Sequence, residues 1–175
     1  MNYLNILICT IIFCFSLQAQ DKKVDFPKDF FGKYTGTLDI SSTKGSQQYP
    51  MEFHLLPSDT LGKYTYTLVY GEGETKQVRD YKLIEKDKEK GFYVVDENNG
   101  IILDDRVIDN RMYSLFEVNG TLLTTFITFE DTFMVFEIIA TPTAEKNTTF
   151  ANDENKTEVI SYPIKTVQRA ILQKQ

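Results

Sequence analysis

Apolar and polar residues alternate along several short stretches of this chain. Aromatic or branched side chains take every second position there, and Lys, Thr, Asp or Glu take many of the positions between them. Such stretches occur at 33–40, 51–55, 63–70 and 79–86. A period of two places successive side chains on opposite faces of a β-strand. The pattern therefore predicts strands with one face in a core and the other in water.

Turn-forming residues separate these stretches from one another and from those that follow. Asn119-Gly120 is the strongest hairpin signal, because both residues tolerate the positive φ of a type I′ turn. With turns also at 109–110 and 130–131, the stretch 111–140 is predicted to be a three-stranded meander. The whole chain is predicted to hold ten or eleven strands. Closure of such a sheet removes its exposed edges, so the predicted fold is all-β, an antiparallel up-and-down barrel of about ten strands.

Two segments depart from this pattern. Residues 26–31 are predicted to form a short helical turn before the first strand. The polar stretch 143–156 is predicted to be a helix or a long loop. Strand character returns over 159–172, with an interruption at Pro163, which cannot donate a ladder hydrogen bond.

The first twenty residues are predicted to be a secretory signal peptide. Residues 4–17 form an almost unbroken apolar run, which as a helix would reach about 21 Å and fall short of the ~30 Å hydrocarbon core of a bilayer. Cleavage is expected after Ala19 or Gln20, since Ala19 supplies a small residue for the signal peptidase. The prediction is a signal peptide at 1–20, one domain after it, and a secreted or periplasmic protein that is not integral to the membrane. An uncleaved anchor is the alternative.

The composition excludes several classes of function. The chain has 175 residues, with 25 Asp and Glu against 19 Lys and Arg and a net charge of −6. This balance argues against a nucleic-acid partner, because binding phosphate needs cationic side chains. The chain has one His and two Cys, and both Cys lie in the predicted signal peptide. Zinc fingers, Fe–S clusters and disulfide scaffolds need more of these residues, so no metal or cofactor is predicted.

The start of the first predicted strand resembles a family signature. Gly32, Tyr34 and Gly36 stand within FGKYTGTL at 31–38. This is similar to the G-x-W opening of lipocalins and their calycin relatives, and to that of nitrobindin-like barrels, with Tyr34 in place of Trp. The resemblance implies a calycin barrel with a short helical plug. It also implies that a basic residue on a late strand packs across the signature ring, and Arg169 is the matching residue. We therefore expect Arg169 to lie over Tyr34.

Several side chains on the predicted strands are candidates for a ligand site. The aromatic candidates are Phe53, Tyr64, Tyr66 and Tyr81. Rings with a few hydroxyl groups suit a small hydrophobic or aromatic ligand, although the same rings would also pack a filled core. Glu137 lies in an apolar strand, where its carboxylate is either a functional polar group or a rim residue in water. The single histidine, His54, is expected to face outward, and the acidic residues around 104–105 are expected to form a solvated surface.

These observations favour a secreted or periplasmic lipocalin-like protein that binds a small, largely apolar ligand and is not an enzyme. The alternative is a structural or interaction protein with a filled barrel, which binds a protein partner or self-associates through its outer surface. Residues 121–129 and 133–140 favour that alternative, because they are apolar on both faces and need a cover on both. The cover would be the 141–158 segment or a second subunit, which would make a homodimer.

Overall fold

The computed structural model describes residues 24–175, so the predicted signal peptide at 1–20 lies outside the described residues. This part of the chain is almost entirely β-structure, with three 3₁₀ turns at Lys28–Phe30, Gly73–Thr75 and Thr143–Glu145. Its strands are β1 (Gly32–Ser42), β2 (Gly45–Pro57), β3 (Lys63–Tyr70), β4 (Gln77–Asp87), β5 (Phe92–Asp96), β6 (Ile102–Ile108), β7 (Arg111–Val118), β8 (Thr121–Phe129), β9 (Phe133–Pro142), β10 (Asn147–Phe150), β11 (Glu158–Ser161) and β12 (Thr166–Lys174).

Ten of these strands form a closed antiparallel barrel. Strands β1 to β8 each pair with the next in sequence, and β12 then lies between β9 and β1. The pairing of β1 with β12 sets Leu38 opposite Ala170 and leaves no free edge in the barrel. In the β7–β8 hairpin, Asn119 and Gly120 have the positive φ values of 48° and 76° that the predicted turn requires. The predicted barrel of about ten strands is therefore confirmed.

The connection between β9 and β12 differs from its prediction. Residues 143–156 contain no α-helix, and β10 pairs with β11 as a separate two-stranded sheet. All eight residues of these two strands are exposed. The polar composition of the segment correctly indicates a solvated connection, but its Thr-rich start also supports short strand pairing.

One end of the barrel is filled with aromatic rings. We call it the closed end; it holds the start of β1, the end of β8 and the 3₁₀ turn before β1. Phe129 is central, with ring centroids 5.3 Å from Phe30, 5.7 Å from Phe26, 5.9 Å from Phe53 and 6.2 Å from Tyr34. The Tyr34 hydroxyl donates a hydrogen bond of 2.6 Å to the Phe30 carbonyl oxygen, which ties the turn to β1. Ring packing and this bond close the barrel at one end.

The glycines of the resemblance lie where β1 approaches β12 closely. A Cβ atom on Gly36 would come within 2.6 Å of the Ile171 carbonyl oxygen, so any side chain there would push the two strands apart. A Cβ atom on Gly32 would come within 2.8 Å of Cε of Lys174. Gly36 therefore needs glycine for close packing rather than for an unusual backbone conformation, whereas at Gly32 the flexible Lys174 side chain is what would have to move.

The prediction that Arg169 lies over Tyr34 is wrong. Tyr34 is opposite Lys174 in the β1–β12 register, whereas Arg169 is opposite Asp39. Five residues of a strand span about 17 Å, and an odd offset also reverses the face. The cation over the Tyr34 ring is Lys174, whose Nζ lies 5.8 Å from the ring centroid. Arg169 instead faces outward, with its Nε 3.6 Å from Oε2 of Glu137.

Replacing Arg169 is therefore expected to have little effect on stability. Exposed ion pairs contribute about 0–1 kcal/mol, so Arg169→Ala should lower the free energy of unfolding by less than about 1 kcal/mol. Tyr34→Ala removes a fully buried ring and should cost about 3–5 kcal/mol. Urea unfolding of both variants tests the comparison, and equal losses would contradict the outward placement of Arg169.

Candidate functional site

The half of the barrel opposite the closed end contains a cavity of about 870 Å³. It extends to the β3–β4 and β5–β6 connections, where Gly71, Thr75 and Ile101 form part of its edge. A volume of this size falls within the range of small-molecule sites. Most of the wall is apolar, because strand alternation directs large aliphatic and aromatic side chains inward. They include Leu38, Leu68, Leu103, Phe116, Phe136 and Ile138.

Strands β6 and β7 bring two polar groups into this wall. Asp105 and Ser114 lie opposite each other in the β6–β7 register, and both line the cavity. Each is only 9% exposed. Along β6, Leu103 precedes Asp105 on the same inward face. The cavity therefore has a carboxyl group and a hydroxyl group next to each other in a mostly apolar surface.

The Asp105 carboxyl is the most deeply buried carboxyl group in the cavity wall. Burial disfavours the charged form and, together with the nearby carboxylate of Asp104, raises the pKa of Asp105 to about 7. Within residues 24–175, no hydrogen bond or ion pair joins this carboxyl to another group. A buried carboxyl without a partner costs free energy, so this group is placed where a ligand could supply one.

Three tyrosines of β3 and β4 face the same space. Tyr66, Tyr70 and Tyr81 all line the cavity. Burial, together with the nearby Asp105 charge, raises the pKa of Tyr66 well above its ordinary value. Burial raises the pKa of Tyr70 to about 12. The hydroxyls of Tyr66 and Tyr70 therefore stay protonated at neutral pH, and these side chains present neutral rings and hydrogen-bond donors.

Charged groups also occur nearer the mouth of the cavity. The guanidinium carbon of Arg79 lies 5.5 Å from the ring centroid of Tyr70, and the Tyr81 hydroxyl is a side-chain hydrogen-bond partner of Arg79. Glu97 and Glu117 belong to the same lining. Arg79 is thus engaged by the Tyr70 ring, by the Tyr81 hydroxyl and by Glu97, whose charge acts on it. The charged lining consists of three carboxyl groups and one guanidinium.

The structure separates the five predicted ligand residues. Tyr66 and Tyr81 line the cavity, but Phe53 and Tyr64 do not. Phe53 is fully buried beneath it, with its ring 4.8 Å from that of Tyr66. Tyr64 packs against Phe31, 5.7 Å away, at the closed end. The placement of Glu137 in a ligand site is wrong, because its carboxylate faces outward and pairs with Arg169.

The sequence analysis did not predict Asp105 or Ser114 as cavity residues. For Asp105 the reason lies in its neighbours in sequence. Asp104 and Arg106 flank Asp105, so the segment has the composition of a solvated surface. The signal that could have found it is the alternation of Leu103, Asp105 and Val107, which places the second carboxyl of the pair between two apolar side chains. Val107 is indeed buried, and Asp104 is exposed.

The remaining candidate chemistry lies outside the cavity. His54 faces outward as expected, with its Nε2 2.9 Å from Oε2 of Glu52. Within the described part of the chain, no group of three or more His, Cys, Asp or Glu side chains is arranged to hold a metal ion. None of the helices in residues 24–175 is long and apolar enough to span a membrane.

Comparison with known proteins supports the fold. No protein-family model matches the chain, and no curated protein matches it. Among solved structures, it is similar to a protein of unknown function from the DUF3598 family of Nostoc punctiforme, with a TM-score of 0.50 and 11% sequence identity. The match covers 85% of this chain and 48% of that protein, so this chain spans about half its length. At this identity the likeness concerns the fold alone.

Proposed function

We propose that this chain is a calycin-related, lipocalin-like binding protein, which takes a small, largely apolar ligand into the barrel and catalyses no reaction. The observation that carries the proposal is the hollow half of the barrel, about 870 Å³, above a closed end packed with rings. The same proposal includes export to the periplasm or the exterior, on the strength of the signal-peptide pattern at 1–20.

Binding in this cavity would be driven by removal of apolar surface from water. Each 100 Å² of apolar ligand surface buried contributes about 2.5 kcal/mol, before the entropic cost of association. Asp105, Ser114 and the tyrosine hydroxyls supply the few polar contacts that orient a ligand in such a site. The packed closed end supports the proposal, because its rings leave the space above them for a ligand.

A second candidate function is that of an interaction protein. The observation that favours it is the β10–β11 hairpin, on which Phe150, Val159 and Ile160 are exposed. An isolated two-stranded hairpin has two unpaired edges and is marginally stable in water, so a protein partner would stabilise it. The open cavity does not fit the filled barrel that this alternative included.

Cavity binding is tested with N-phenyl-1-naphthylamine, an uncharged fluorescent probe. Thr125 lines the cavity on β8, and a bulky side chain there would occupy the ligand space. We expect Thr125→Phe to weaken probe binding by at least about tenfold, the equivalent of 1.4 kcal/mol. Fluorescence titration of the purified protein provides the measurement.

The matched control is Thr124→Phe, one position earlier on β8 and on the outer face. We expect this variant to bind the probe like the wild type. Circular dichroism confirms that both variants keep their β-structure. Absence of probe binding by the wild type, or equal weakening by both substitutions, would contradict the proposed function.

A further inference from the structure

We propose that the ligand of the cavity carries a positively charged amine nitrogen, which the Asp105 carboxylate binds beside the ring of Tyr66. This inference rests on the proposed function and names the class of ligand. Its basis is a built site: a carboxyl that is 9% exposed, faces the cavity, and has no hydrogen-bond or ion-pair partner within residues 24–175.

The immediate surroundings of Asp105 favour a cation. Across the sheet, its register neighbours are Tyr93 on β5 and Ser114 on β7. Tyr66 on β3 is close enough for the Asp105 charge to act on it, and Asp104 precedes it on β6. None of these groups is cationic, so the carboxylate is left uncompensated. An ammonium group would supply both the opposite charge and the missing hydrogen-bond donors.

The aromatic rings add a second attraction for the same kind of ligand. Tyr66, Tyr70 and Tyr81 line one side of the cavity, and the face of an aromatic ring attracts a cation within about 6 Å of its centroid. The Arg79 guanidinium already uses the Tyr70 ring in this way, which shows that this wall accommodates positive charge. The aliphatic wall opposite would hold the apolar part of an amphipathic amine.

The charges at the mouth act in the same direction. Asp105, Glu97 and Glu117 face a single cationic side chain, Arg79, in the cavity lining. Arg79 is engaged with Tyr70, Tyr81 and Glu97, so it does not neutralise Asp105. A negative potential within a cleft concentrates cations, and the chain as a whole carries a net charge of −6. Cationic ligands are therefore favoured over anionic ones.

The test compares three probes that share one apolar body: 4-phenylbutylamine, 4-phenylbutan-1-ol and 4-phenylbutyrate. Isothermal titration calorimetry at pH 8 is carried out on the full protein, with Asp105 ionised and the amine protonated. We expect the amine to bind at least about tenfold more tightly than the alcohol, and the carboxylate to bind most weakly. Asp105→Asn should remove the preference for the amine. Asp104→Asn, on the same strand but exposed, should retain it.

Acidification provides an independent readout. Burial and Asp104 raise the pKa of Asp105 to about 7, so the carboxyl becomes neutral as the pH falls from 8 to 5.5. Amine binding should weaken over this range in the wild type and stay constant in Asp105→Asn, while alcohol binding changes in neither. Binding of N-phenyl-1-naphthylamine by Asp105→Asn confirms that its cavity is intact.

The outcomes distinguish this inference from the proposed function. If the naphthyl probe binds in the cavity but the amine binds no better than the alcohol, the inference is overturned and the proposed function stands. Tighter binding of 4-phenylbutyrate, or an amine preference that survives Asp105→Asn, also overturns it. If the naphthyl probe fails to bind, the proposed function fails and the inference fails with it.

Discussion

Phe129→Ala is expected to lower the free energy of unfolding by about 3–5 kcal/mol, the range for truncating a packed aromatic side chain. Phe129 is fully buried near the end of β8. Its ring contacts those of Phe26, Phe30 and Phe53, which come from different parts of the chain. The closed barrel holds these elements apart, so they cannot collapse into the space that the ring leaves. The cost should therefore include both the lost transfer free energy and a residual cavity.

The matched control for Phe129→Ala is Phe126→Ala on the same strand. Phe126 faces outward, is only half-buried, and its ring has Tyr113 at 5.9 Å and the Arg111 guanidinium carbon at 5.0 Å. Its truncation should cost clearly less than that of Phe129. Urea unfolding, followed by tyrosine fluorescence and by far-ultraviolet circular dichroism, measures the free energy of unfolding of both variants. Equal losses would contradict the assignment of the closed end as the packed core of the barrel.

The barrel was predictable because its determinants are local in sequence. Alternation with a period of two, as in 63–70, and turn residues such as Asn119-Gly120 are visible within a few positions. They define strands, faces and hairpins, and a meander of ten strands has few ways to bury its edges other than closure. The same reasoning cannot give the register between β1 and β12, which are more than 120 residues apart in sequence.

The error at Arg169 shows what that register decides. Parity along β12 separates inward from outward residues, but it does not say which inward residue reaches Tyr34. Ala170 and Leu172 are buried, so Arg169, which points to the opposite face of β12, faces water. Lys174 is the cation that reaches the ring. A cation over the Tyr34 ring was expected and is present, but it is Lys174 and not the predicted Arg169.

The sequence predicted which face of a strand the cavity residues lie on, but not how far along the barrel axis they lie. Tyr64 and Tyr66 share one face of β3, yet they lie about 7 Å apart along the strand. That distance places Tyr64 against Phe31 at the closed end and Tyr66 in the cavity wall. Which half of a barrel is filled depends on where the turn before β1 packs, and this contact has no local signal in the sequence.

Asp105→Asn is expected to stabilise the folded protein at pH 8. In an unfolded chain the carboxyl has a pKa near 3.9, whereas burial and Asp104 raise the pKa of Asp105 to about 7 in the fold. Between these values the folded state retains a proton that the unfolded state has released, so the free energy of unfolding falls as the pH rises. The penalty is absent below pH 4 and complete above pH 7. Each pKa unit corresponds to about 1.4 kcal/mol, and the pKa of Asp105 differs by about three units between the folded and unfolded states. The loss of stability from ionising Asp105 is therefore at most about 4 kcal/mol.

An asparagine at position 105 cannot ionise, so this variant should lose the decline in stability that the wild type shows between pH 4 and pH 7. Urea unfolding at pH 5 and pH 8 measures the difference. Asp104→Asn is the control, because it removes only the smaller of the two causes that raise the pKa of Asp105, and the decline in stability should persist in it. We expect Asp105→Asn to unfold at higher urea concentration than the wild type at pH 8, with the gap closing towards pH 4. A destabilised Asp105→Asn at pH 8 would mean that the ionised carboxyl has a partner within the protein. That partner would leave the amine without its binding group.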